Sequence, residues 1–146
     1  MDPVRKKRLA ARRAWDTRRV YLFEKSLHGW ESTSEMSMGA LRRLAERVWA
    51  KESLTYLPCP AIVAGAGIRS GGVLVSYFHW YSWRIVLTRD ARVPVVVLHE
   101  LTHALGYLEH GPAFMKTYMR LLATYGRCDP TLLALNAGVM GVRVAK

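Results

Sequence analysis

The pentapeptide His99-Glu100-Leu101-Thr102-His103 sets two imidazoles four residues apart, with a carboxylate directly after the first. On an α-helix residues i and i+4 share a face, so both rings can reach one cation. Zinc accepts neutral imidazole nitrogens at about 2.0–2.1 Å and favours tetrahedral coordination. Glu100 stands about 100° round the helix from His99, beside such a metal rather than on it. A carboxylate there can take a proton from a water whose acidity the metal has raised. His99 and His103 are therefore candidate zinc ligands, and Glu100 is the candidate general base. The competing reading, core histidines bonded to backbone carbonyls, explains a lone buried histidine better than a complete HExxH.

A catalytic zinc takes three protein ligands and keeps one position open. Two residues compete for the third place. Glu109 completes HExxHxxGxxE, with Gly106 allowing the chain to turn three residues before it. His110 follows immediately, ahead of Gly111-Pro112-Ala113-Phe114, and can fold back from the start of the next helix. Spacing leaves both open.

These residues need a buried helix to hold them. Val95, Val96, Val97, Leu98, Leu101, Ala104 and Leu105 make the segment apolar nearly all round. Two His and a Glu in such a helix are costly unless a metal compensates them. Pro94 suits a first helical position and Gly106 an exit, which predicts a helix over 94–105. Pro112 and Gly126 bound another over 112–125, and Asp129-Pro130 opens a last one reaching about 137. Upstream, residues 4–27 lack Pro and Gly and favour helix, with a tip near Met1 expected to fray. Ser32 and Glu35 have capping-box spacing, predicting a second helix from there to about Glu52. Strands are expected at 61–64, 73–80 and 83–88, with Gly71-Gly72 as a hairpin-like turn. Gly65–Gly72 lacks the Lys-Ser/Thr ending of a phosphate-binding loop and reads as a turn. The order of two helices, a small mainly antiparallel sheet and three helices predicts an α+β fold in one domain, 1–146.

Other side chains carry weaker signals. Tyr107, Tyr118 and His79 are candidates for stabilising an oxyanion, although packing explains each as readily. Tyr77, Phe78, Trp80, Tyr81 and Trp83 either line a substrate cleft or fill the core. Met140 stands where a Met-turn would, but reads as a packing residue. Cys59 and Cys128 form no CxxC pair, and both are read as free, structural thiols.

The formal charge is +11 over 146 residues. Residues 1–20 hold eight Arg and Lys against Asp2 and Asp16, leaving +5 for the remainder. Such an arm favours nucleic acid or an acidic protein surface, or else forms a solvated helix face. The apolar runs near 93–98 and 132–142 are too short to span a bilayer, and no signal-peptide pattern is seen. The expectation is a cytoplasmic protein without a membrane segment.

HExxH followed shortly by His110-Gly111-Pro112-Ala113-Phe114 resembles the SprT-like zinc metallopeptidases. It is more similar still to a group of short metallohydrolases of actinobacteria and their phages. Those also begin with a basic helix ending like Val20-Tyr21-Leu22-Phe23-Glu24, and carry a run like Ile85–Glu100. The resemblance spans most of the chain, with its sharp motifs at His99–His103 and His110–Phe114. It implies a minimal zincin-like domain, a protein or peptide substrate, and His110 rather than Glu109 as third ligand. It also implies an association with DNA, since SprT-like relatives include DNA-associated proteases. Another amide or ester hydrolysis would use the same water activation.

Overall fold

A computed structural model describes residues 1–70 and 73–146. Helix α1 covers Pro3–Ser26, with the Asp2 carboxylate accepting from the Val4 and Arg5 amides (3.1 and 3.3 Å). That cap satisfies orphan amide donors at the start of the helix. No residue among 1–15 is buried; Asp16, Val20, Phe23 and Leu27 are the first to enter the body.

Helix α2 covers Met38–Glu52, starting later than the capping-box spacing predicts. Ser37 is the cap, its hydroxyl accepting from the Ala40 amide at 3.1 Å. Ser32 lies instead in a single 3₁₀ turn, Glu31–Thr33, buried with its hydroxyl 3.2 Å from Cys128 Sγ. The chain between is extended, and the Met36 amide donates to the Arg92 carbonyl. A tertiary contact has overridden the local capping signal.

Strands β1 (Ala61–Ala64), β2 (Ile68–Ser70), β3 (Val73–Val75), β4 (Tyr77–His79) and β5 (Arg84–Leu87) follow. The expected single strand over 73–80 is two strands. It breaks at buried Ser76, whose hydroxyl accepts from the Thr88 amide at 3.0 Å. β3 pairs antiparallel with β2, while β4 joins a three-stranded sheet of order β1-β5-β4. In that sheet β4–β5 is antiparallel and β1–β5 parallel. The expected turn at Gly71-Gly72 lies outside the described residues. Gly67 packs where a Cβ would sit 2.2 Å from the Val75 carbonyl oxygen, so only glycine fits there.

Helices α3 (Pro94–Ala104), α4 (Pro112–Tyr125) and α5 (Pro130–Val139) complete the α+β fold. α3 is the central element, with nine buried residues that include Val97, Leu98 and Leu101. Phe114, Tyr118 and Leu121 of α4, Leu41 and Val48 of α2, and Phe23 of α1 share its core. Phe78 and Trp83 pack against that core, whereas Trp80 and Tyr81 are exposed. Cys59 and Cys128 are free thiols. Burial and the charge of Glu46 push the Cys59 thiol up to about 11. Met140 ends α5 and packs on the core, its carbonyl accepting from Arg19. No helix among the described residues is long and apolar enough to cross a membrane.

The C-terminal segment fastens α1 to this body. Arg143 donates to both carboxylate oxygens of buried Asp16 (2.9 and 2.5 Å), and the Ala145 amide donates to the Pro112 carbonyl. A bidentate pair of this kind fixes direction as well as distance. Asp16→Ala leaves Arg143, itself one-third exposed, without its partner. It should lower the unfolding free energy by about 2–3 kcal/mol, below the range for a fully buried pair. Urea unfolding followed by circular dichroism measures this, and an unchanged midpoint would remove the anchoring role.

Candidate metal centre

α3 presents His99 and His103 on one face, as their spacing requires. At its end Gly106 adopts φ +113°, a left-handed conformation that costs other residues dearly. The chain turns back there, and the Tyr107 carbonyl comes within 2.7 Å of His103 Nδ1. Residues 108–111 then carry His110 to the start of α4. His110 Nε2 lies 2.9 Å from His99 Nε2, and His103 Nε2 lies 3.2 Å from the same atom. All three histidines offer a nitrogen within 4.8 Å of the others. Two nitrogens on one tetrahedral zinc lie about 3.3–3.4 Å apart, so a slight opening admits the ion.

Glu109 is not part of this group. Its carboxylate is 3.0 Å from Arg13 Nε on the surface, with more than half of the side chain exposed. Of the two candidates for a third ligand, the structure brings His110 to His99 and His103 and turns Glu109 away.

The opposite ring nitrogens are what make the cluster suit a cation. His99 Nδ1 faces the Glu24 carboxylate, His103 Nδ1 the Tyr107 carbonyl, and His110 Nδ1 the Thr17 hydroxyl at 3.2 Å. Carboxylate and carbonyl oxygens only accept, so Nδ1 of His99 and of His103 carries the proton. In the neutral tautomer both Nε2 atoms then present lone pairs to one another. A metal between them turns that repulsion into ligation, the usual outer-shell arrangement of metal-binding histidines. The carbonyl bond expected of a core histidine is present at His103, and the other nitrogen of that ring faces His99. The donor set fits zinc: three imidazoles, each offering a nitrogen within 4.8 Å of the others.

Charge and burial act together here. Burial alone would lower the pKa of His99, but the charge and hydrogen bond of Glu24, with the charge of Glu100, raise it overall. His103 is pushed down to about 4 by burial and the charge of His99. His110 is pushed down to about 2 by burial and the charges of His99 and His103. The trio therefore resists full protonation. Glu100 is pushed up to about 7, chiefly by burial and also by Glu24, against the opposing effects of His99 and a Phe78 amide hydrogen bond. It is buried beside the histidines and joins Tyr21, Glu24, Ser76, Thr88 and His99 around a cleft of about 140 Å³.

Three residues that sequence reasoning left without a role belong to this centre. Thr17, Tyr21 and Glu24 stand at i, i+4 and i+7 on α1 and meet His110, His99 and His110 together, and His99, respectively. The signal was there: three polar groups at helical spacing beside the apolar face of Val20, Phe23 and Leu27. The named oxyanion candidates fare differently. Tyr118 directs its hydroxyl at Glu24 (2.8 Å) and the Val95 carbonyl (3.2 Å). Tyr107 contributes its carbonyl, and His79 bonds to Ser82 in the β4–β5 turn. Beneath the cluster, the Phe114 ring lies 4.8–5.0 Å from all three imidazole centroids.

Comparison with protein-family models, curated proteins and solved structures finds no match. The reading of this centre therefore rests on its own geometry.

Zinc titration against a chromophoric chelator should give one tight site per chain. Glu24→Gln keeps the shape but weakens the bond that orients His99, and should cost about 10- to 100-fold in affinity. His110→Ala should cost more, while Glu109→Ala should bind as the wild type does. Loss of zinc from Glu109→Ala with retention by His110→Ala would reverse the ligand assignment.

Proposed function

We propose that this protein is a zinc-dependent hydrolase, a metallopeptidase acting on an extended chain. The observation that carries the reading is the convergence of three imidazole nitrogens, with the buried Glu100 sharing a cleft with His99. His99, His103 and His110 would hold the ion. Bound zinc would polarise the scissile carbonyl and lower the pKa of a water to about 7.

The chain's own groups do the rest. Glu100 takes a proton from the attacking water and passes it to the departing amine nitrogen as the C–N bond breaks. The Phe78 amide neighbours the Glu100 carboxylate. Phe78 lies on β4, an outer strand of its sheet, so the strand edge runs past the general base. An extended peptide can add to such an edge through main-chain hydrogen bonds, which favours a peptide over a compact amide or ester.

A second reading has its own observation. Arg5, Lys6, Lys7, Arg8, Arg12 and Arg13 all lie on the fully exposed first half of α1. A projecting helix with this charge suits a polyanion, and nucleic acid is the partner it would hold. The two readings are compatible, because the arm and the metal-facing residues occupy different halves of one helix.

Glu100→Gln should retain stoichiometric zinc and lose about 10²–10⁴-fold in peptide hydrolysis. Cleavage of a denatured protein followed by mass spectrometry checks this, and undiminished cleavage would refute the proposed base. For the arm, reversing Lys6, Lys7 and Arg8 to Glu should weaken binding to a 20-nucleotide DNA by about tenfold or more and flatten its salt dependence. Binding that ignores both the reversal and added salt would count against a polyanion site.

A further inference from the structure

The cleft that opens on His99 and Glu100 carries a phenol in its wall, that of Tyr21. Its ring lies almost parallel to His99, at 5.8 Å and 17° between planes, and 5.7 Å from the ring of His110. One turn before it on α1, Thr17 bonds His110; one turn after it, Glu24 bonds His99. Tyr21 is thus registered to two of the three imidazoles by its own helix neighbours. The Tyr118 hydroxyl is engaged by Glu24 and Val95, and that of Tyr125 by Glu52. No described residue hydrogen-bonds the Tyr21 hydroxyl, although its side chain borders the same space as Glu100.

The geometry points to Tyr21 as the donor that receives the substrate oxyanion, an assignment resting on the hydrolase reading above. As the water oxygen bonds to the scissile carbon, the carbonyl π pair moves onto oxygen and the water proton moves to Glu100. The Tyr21 O–H donates a hydrogen bond to that oxygen and keeps its proton throughout. When the C–N bond breaks, the carbonyl re-forms and the nitrogen takes the proton from Glu100. A donor held on a long helix by contacts on either side needs no rearrangement to meet charge that appears only transiently, which is where such donors act most strongly.

Tyr21→Phe keeps the ring against His99 and removes only the oxygen. The probe is a phosphinic dipeptide, whose tetrahedral anion carries an oxygen where the oxyanion would form, measured by calorimetry on zinc-loaded protein. Zinc affinity and melting temperature should match the wild type. The dissociation constant for the phosphinate should rise about 10- to 100-fold, with kcat falling by a similar factor and KM little changed. A wild type that binds zinc but holds the phosphinate no tighter than Y21F overturns the assignment alone. A wild type that takes up no zinc overturns the hydrolase reading, and this inference with it.

Discussion

The contact between Glu24 and His99 is the one on which the rest of the molecule depends. It joins α1 to α3 across the core, with His99 almost wholly buried. Two ionisable side chains are poor material for a protein interior unless each answers the other. Here the carboxylate fixes the imidazole tautomer, the tautomer sends Nε2 toward His103 and His110, and Tyr118 steadies the carboxylate from below. Remove the acid and the geometry of the whole trio loses its reference.

That contact also explains the architecture around it. α3 is hydrophobic on nearly every face because it must sit in the middle, and its His99 is the residue that meets Glu24 and Tyr21 of α1. α1 must then be held at a fixed depth, which the Asp16–Arg143 pair and the returning C-terminal strand of chain provide. A cation at the centre would tie α3, the 106–111 turn and, through Glu24 and Thr17, α1. By linkage, free zinc at a thousand times its dissociation constant would stabilise the fold by about 4 kcal/mol. Metal binding at this site would then add directly to the stability of the fold.

Much of this was legible in the sequence, for identifiable reasons. The α3 helix, its Pro and Gly bounds, and the histidine pair follow from periodicity and backbone constraints that act locally. The same holds for α4 and for the Asp129-Pro130 start of α5. What stayed hidden depends on contacts distant in sequence. Ser32 looked like a cap and is instead buried against Cys128, 96 residues away. The strand at 73–80 looked continuous, and at its break Ser76 bonds Thr88, just beyond the end of β5. Glu24 and Thr17 meet their histidines across 75 and 93 residues, beyond the reach of any spacing rule. Glu109 pairs with Arg13 of α1 while His110 turns to the other histidines, contacts that spacing cannot register.

The central claim is that one divalent ion sits among His99, His103 and His110. X-ray absorption at the zinc edge, on protein loaded with one equivalent, tests it most directly. The account predicts a first shell of light atoms at about 2.0–2.1 Å, with the outer-shell scattering of three imidazoles. A shell containing sulfur at about 2.3 Å, or one without ordered imidazole scattering, would place the ion elsewhere and contradict the account.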